Sequence, residues 1–342
     1  MRFTRKHLCD LPSCYAVGSV NVEGRTLLLF APDAPGPCYA FDSGTFERET
    51  AWEEPGGTMS LVPVPDGSGD FLAVQRFFPG FHAQGTEIVR LSRKTGNWTP
   101  SPLLRLPYLH RFDILQRGGV YYLLCCTLCT EKKNEDDWSS PGGLYAAELT
   151  PDFTGLSPLV QIAGEMTRNH GYCRVNQNGY TSALTSCDQG VFDVQPPERK
   201  GGAWTVRKVL EKPVSDITLC DIDGDGIEEL ACIEPFHGDH FTVYRNVDGR
   251  YEPCYEYPGE MSFGHAIWGG SLRGENVFIC GCRGGGRDLF MLRWNGRELL
   301  AETLETGRGT SNVHVVPGKD HDLLLMANRE SGEAAVFIVT GD

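Results

Sequence analysis

Two sets of side chains in this sequence have the types and the spacing for chemistry. The first is the run Asp221-Ile222-Asp223-Gly224-Asp225-Gly226, followed by Glu228 and Glu229. Carboxylates at alternate positions, with glycines that permit a sharp turn, make an oxygen-lined loop suited to a hard cation such as Ca²⁺ or Mg²⁺. Asp221, Asp223 and Asp225 would be the ligands and Glu229 would complete the shell; the alternative is an acidic turn that holds no ion. The second set is His110, His170 and His265, drawn from only 9 histidines. Imidazoles converging from separate segments suit a borderline transition metal such as Zn²⁺ or Mn²⁺, and three of them leave positions open for substrate or water. Channel histidines bonded to water, or a catalytic histidine without a metal, are the alternatives.

Both sets need a scaffold, and the sequence supplies it as a repeat. Apolar segments are short, rich in Val, Leu, Ile, Tyr and Phe, and separated by Gly, Pro, Asn and Asp; none holds a helical period for three turns. Seven copies of one unit follow each other: a short strand, a Gly-rich turn, a more apolar strand, a loop and a third strand. The pitch of about 45 to 60 residues suits a four-stranded propeller blade. The expected blades are 13–55, 56–107, 108–166, 167–211, 212–260, 261–307, and 308–342 completed by 2–8, in a single domain. Outer strands follow most copies, as at 204–210 and 251–257, but not the seventh. The leftover N-terminal segment is therefore expected to close the last blade and remove an open edge. The fold class is all-β, a seven-bladed β-propeller.

Aligning the copies by their turns puts Met59, His110, His170, Ser215, His265 and Asn312 at the start of the innermost strand, with Ser13 or Cys14 in the first copy. His314, two residues beyond Asn312, is expected in the same channel but deeper, because strand side chains alternate. The acidic run joins first and second strands, so it falls on the opposite face and reads as a staple for its blade. Loops between second and third strands share the histidine face. They bring Arg76, His82, Lys133, Trp138 and His237, and Tyr108, Arg111, Tyr172 and Trp268 lie close to the histidines in sequence. Aromatic faces stack on sugar C–H groups while charged groups take hydroxyls or a carboxylate, so the expected ligand is a small carbohydrate. Tyr108, Trp138, Trp268, His82 and His237 are the candidate binding residues. Tyr172, Lys133 and His314 are candidate bases, and Arg76 and Arg111 candidate oxyanion partners.

Composition sets limits. The 31 Lys and Arg against 45 Asp and Glu give a net charge of −14, which argues against a phosphate backbone as partner. No apolar run approaches the roughly 18 to 20 residues of a membrane span, and no apolar leader follows the basic start, so neither nucleic acid nor membrane is expected. The 13 cysteines sit mostly in apolar runs, as in "YYLLCCTLC" and "VFICGC", and read as buried thiols in a reducing cytoplasm.

"DIDGDGIEEL" resembles the FG-GAP or VCBS repeats of integrin-like propellers. Together with "PYLHRFD", "RNHGYCRV" and "FGHAIWGG", the chain resembles the propeller domain of the aldos-2-ulose dehydratases and, in ring and channel metal, the propeller oligogalacturonate lyases. The resemblance implies a divalent metal on His110, His170 and His265 and a β-elimination across a sugar C–C–O unit. It covers the propeller only, so an accompanying isomerase activity is not expected. The competing class is a non-enzymatic propeller that binds a glycan or protein on the same face.

Overall fold

The computed structural model describes residues 1–94 and 96–341. These form seven four-stranded antiparallel sheets arranged as the blades of a β-propeller, with a 3₁₀ turn at Pro79–Phe81. The sheets span 14–52, 61–105, 109–166, 171–210, 216–256, 264–305 and 310–340, here blades 1 to 7. In blade 7 the outermost strand is Arg2–Asp10, paired from Arg2↔Thr340 to Asp10↔Glu333. The ring thus closes through the N-terminal strand, as the leftover segment predicts.

Burial explains why the second strand of each copy is the most apolar. It is covered by neighbouring blades on both faces, so it carries continuous rather than alternating hydrophobes. Leu27–Ala31, Phe71–Val74 and Leu323–Ala327 are all buried, whereas the outer strand Asn97–Arg105 is largely exposed. Most cysteines belong to this inter-blade packing, and all 13 are free thiols. Burial pushes those of Cys14, Cys125, Cys232 and Cys280 well up, leaving them as small hydrophobes rather than nucleophiles.

One detail of the innermost strands decides what lines the channel. In blades 1, 3, 6 and 7 the register slips between Cys14 and Ala16, Leu109 and Arg111, Gly264 and Ala266, and Thr310 and Asn312. Each slip is a β-bulge, an extra residue that bends the strand and re-aims one side chain. The bulged residues are Tyr15, His110, His265 and Ser311.

Candidate functional site

The bulges build a ring. His265 Nδ1 contacts the carbonyl of Ser311 in the next blade at 2.6 Å, and His170 Nδ1 contacts the carbonyl of Ser215 in its next blade at 3.3 Å. Ser311 Oγ in turn donates toward the carbonyls of Cys14 and Tyr15. Equivalent positions are therefore Tyr15, His110, His170, Ser215, His265 and Ser311. The alternation expected from sequence points to Asn312 and to Ser13 or Cys14, and the bulge moves each by one or two residues.

A carbonyl on Nδ1 holds the proton there and leaves the Nε2 lone pair facing the channel. Tyr15 Oη lies 3.2 Å from His265 Nε2 and 3.3 Å from His110 Nε2. His237, from the loop after the second strand of blade 5, joins this floor; its ring is 5.0 Å from that of His170 and 5.2 Å from that of His265. Its backbone N–H donates to Ser215 Oγ at 3.0 Å, which pins the loop to the ring. His170, His237 and His265 each offer a ring nitrogen, and these lie within 4.8 Å of one another. His110 stacks beside His170 at 4.4 Å but stands outside that group.

The imidazoles are held neutral. Burial, reinforced by neighbouring arginines and by the histidines themselves, lowers the pKa of His110, His170 and His265 well below the ordinary value. Burial and the positive charge of Arg283, Arg168 and Arg111 bring His237 down to about 3. All four are neutral, the protonation state a metal ligand needs. His170 Nε2 and His237 Nε2 are buried with no hydrogen-bond partner. An orphaned buried nitrogen is costly, and a shared ion would satisfy both. The chain thus contains a three-histidine group able to hold a metal.

Above this floor opens a cavity of about 380 Å³. Blades 2, 3 and 5 give it an aromatic wall that includes Phe77, Phe81, Trp138 and Phe236. Blades 6, 7 and 1 give a charged wall of Arg283, Arg329 and Asp33. Trp138 joins the loops, its ring 5.1 Å from Phe81 and 5.6 Å from Phe236, with Lys132 Nζ 3.5 Å from its centroid.

Other sequence candidates lie elsewhere. Arg76 is exposed and pairs with Glu87 at 2.7 Å; His82 and Lys133 are also exposed, and none of the three lines the cavity. Tyr108 is buried in the core, its hydroxyl accepting from Gln84 Nε2 at 2.7 Å. Trp268 packs against the apolar cluster between blades 6 and 7 that includes Leu272 and Val315, because alternation along its strand turns it away from the His265 side. Tyr172 and Arg111 line a second cavity on the far side of the histidines. There Tyr172 donates to Asp113 Oδ2 at 2.9 Å and Arg111 to the Met59 carbonyl at 2.9 Å. His314 faces Ser19 at 2.9 Å and lines neither cavity; burial lowers its pKa to about 4. Of the residues expected around the histidines, Trp138 and His237 reach the cavity. Sequence reading missed Tyr15, which the bulge sets one residue beyond Cys14, and Asp33, Arg283 and Arg329, whose loops carry no motif.

The acidic run forms a turn on the opposite face. Asp221, Asp223 and Asp225 bring carboxylate oxygens within 4.8 Å of one another. Most are already engaged: Gly226 N–H donates to Asp221, Asp225 N–H to Asp223, Ile227 N–H to Asp225, and Arg245 Nη2 reaches Asp223 Oδ2 at 2.6 Å. Glu229 is buried beneath them and accepts from the Ile222 N–H at 3.2 Å. Asp221 Oδ1 and Glu229 Oε1 remain without hydrogen-bond partners.

No protein-family model matches the sequence, and no curated protein matches it. Solved structures do match in shape. The Dos1 propeller superposes with a TM-score of 0.57 at 9% identity, over 92% of this chain and 76% of that one. A Bacteroides uniformis structure assigned as a 6-phosphogluconolactonase gives 0.55 at 14%, over 89% and 92%. A structure assigned as a gluconolactonase gives 0.50 at 13%, over 98% and 92%. At these identities the likeness is one of fold. Among the described residues no helix is long and apolar enough to cross a membrane.

Proposed function

We propose that this chain is a metal-dependent enzyme acting on a small carbohydrate, and that its reaction is β-elimination from a keto-sugar, keto-glycoside or uronate. One observation carries the reading: three neutral histidines, two with orphaned ring nitrogens, converge on the floor of an aromatic-lined cavity. The resemblance of the repeats to the aldos-2-ulose dehydratases and oligogalacturonate lyases supports it.

His170, His237 and His265 would hold a Zn²⁺ or Mn²⁺ ion. When bound, such an ion supplies Lewis acidity to a carbonyl or carboxylate and lowers the pKa of the neighbouring phenol. Tyr15 and His110 would move the protons. The phenol is neutral at rest, since burial raises its pKa to about 12. Its oxygen takes the proton from the carbon beside the carbonyl while its own proton passes to His110 Nε2, 3.3 Å away. The C–C double bond forms and the C–O bond to the leaving group breaks; Tyr15 then gives its proton to the leaving oxygen, and His110 returns the one it holds. The proposed base is therefore Tyr15 with His110, which line the cavity, in preference to Tyr172, Lys133 or His314. The acidic turn would hold Ca²⁺ or Mg²⁺ as a staple for blade 5, remote from the chemistry.

Hydrolysis of a sugar lactone is a second reading, favoured by the names of two structural neighbours. A propeller that only binds a glycan or protein is a third. Metal analysis with an ultraviolet assay separates them. Parent protein carries transition metal, His237→Ala and His170→Ala lose it, and an unsaturated product absorbs in the ultraviolet over a panel of keto-glycosides and uronides. Lactone opening without new absorbance favours hydrolysis. Equal metal content in parent and His237→Ala sinks the metal centre.

A further inference from the structure

The two walls of the histidine cavity differ in chemistry, and the difference names a kind of substrate. On the charged wall, Arg329 Nε donates to Asp33 Oδ2 at 2.6 Å and Arg329 Nη1 to Glu330 Oε1 at 3.0 Å. Glu330 also accepts from Arg283 Nε at 2.9 Å and Nη2 at 2.7 Å. The four charges alternate and cancel, so the wall is rigid and polar without attracting a net anion. One atom of it is left over. Asp33 is 7% exposed and its Oδ1 meets no hydrogen-bond donor. A buried carboxylate oxygen without a donor is rare in native proteins, and where the site faces a cavity a ligand donor is the natural partner. Asp33 and Arg283 line the same cavity as Tyr15.

The opposite wall has no such need. Phe81, Trp138 and Phe236 meet edge to face across three loops, with Lys132 over the rings of Phe81 and Trp138 and Arg168 over those of Trp138 and Phe236. The rings of Phe81, Trp138 and Phe236 offer stacking and apolar burial, and Glu135 and Asp136, from the same loop as Trp138, line the cavity beside them. The volume of about 380 Å³ is within the usual range for a small-molecule site.

We infer that the substrate is a glycoside with an apolar, preferably aromatic, aglycone: a sugar hydroxyl donates to Asp33 Oδ1, the sugar lies over the histidines, and the aglycone rests against Phe81, Trp138 and Phe236. Asp33 is then a specificity-determining residue. This rests on the carbohydrate reading of the same cavity and adds the two ends of the ligand to it.

Calorimetric binding to the full chain as isolated, with its metal content measured, tests the inference. The probes are p-nitrophenyl and methyl glycosides of glucose, galactose, mannose and glucuronic acid, the deoxy analogues of the best binder, and p-nitrophenol. The p-nitrophenyl glycoside binds at least about tenfold more tightly than its methyl counterpart, and Asp33→Asn weakens it by about ten- to a hundredfold with metal content unchanged. Removing the sugar hydroxyl that meets Asp33 costs the parent the same factor and costs Asp33→Asn almost nothing. The deoxy probe on the parent chain keeps the test decisive even where Asp33→Asn folds poorly. The inference is overturned when no glycoside binds, when p-nitrophenol binds as well as its glycosides, or when no deoxy analogue is weaker on the parent. Tight aryl-glycoside binding with no elimination product overturns the lyase reaction and leaves this inference standing; elimination from free uronates with no aryl preference does the reverse.

Discussion

Two clusters in this propeller could each hold a cation, and they are built on opposite terms. His170, His237 and His265 are neutral, packed below a cavity, and two of their ring nitrogens have no partner within the protein. Asp221, Asp223 and Asp225 form a turn on the opposite face, and backbone N–H groups and Arg245 already engage their carboxylates. A largely hydrogen-bonded acidic turn with its own guanidinium needs no ion to hold most of its charge, so an ion there would tighten a blade. Buried imidazoles with unused lone pairs are costly as they stand, and that cost is what a functional ligand relieves. Each cluster keeps two buried atoms without partners, Asp221 Oδ1 and Glu229 Oε1 in one and two histidine nitrogens in the other, but only the histidines line the cavity.

The largest effect should come from breaking the histidine side. In His170→Ala/His237→Ala the transition metal and all turnover are lost, while Asp223→Ala retains both, as read by metal analysis and product absorbance. Next, Tyr15→Phe lowers kcat by about 10²- to 10⁴-fold with metal content unchanged, the range for loss of a positioned proton-transfer group. A His110→Ala variant that also keeps its metal confirms that His110 works beside the metal group rather than in it; loss of metal in that variant would return it to the ligand set.

A pH titration sharpens the contrast further. Burial lowers His314 to about 4 and His237 to about 3, so between the ordinary value near 6.5 and these values the unfolded chain binds more protons than the folded one. Stability contributed by keeping these rings neutral is fully present above about pH 6.5 and declines as pH falls toward 4, with roughly 3 kcal/mol at stake for His314 alone. Urea midpoints should fall over that window, less steeply in His314→Gln. A midpoint that is flat from pH 7 to 4 contradicts the assignment of neutral buried rings. The smallest effect belongs to the turn: Asp223→Ala costs about 1 kcal/mol of stability and leaves kcat unaltered.

Much of this was legible in the chain itself. The repeat of strand, turn and apolar strand marks seven blades because a strand covered on both faces must be continuously hydrophobic, as Leu123–Cys126 and Val277–Cys280 are. His110, His170 and His265 were legible as equivalent because each sits at the start of a blade. Tyr15 and Ser311 were not, since a bulge adds one residue to the register and leaves no mark in a two-residue period. Trp268 shows the reverse: it is three residues from His265 in sequence, but its side chain enters the seam between blades.

The sequence by itself determined the ring, its closure by Arg2–Asp10 and the face on which the histidines lie, because these follow from local periodicity and chain order. Only the tertiary structure decided which groups meet. His237 completes a group with His170 and His265, and Asp33 faces Phe81 and Trp138 across a cavity, through loops of separate blades. Such convergence is set by how blades pack around an axis, a distance relation between residues far apart in the chain that no short-range pattern encodes.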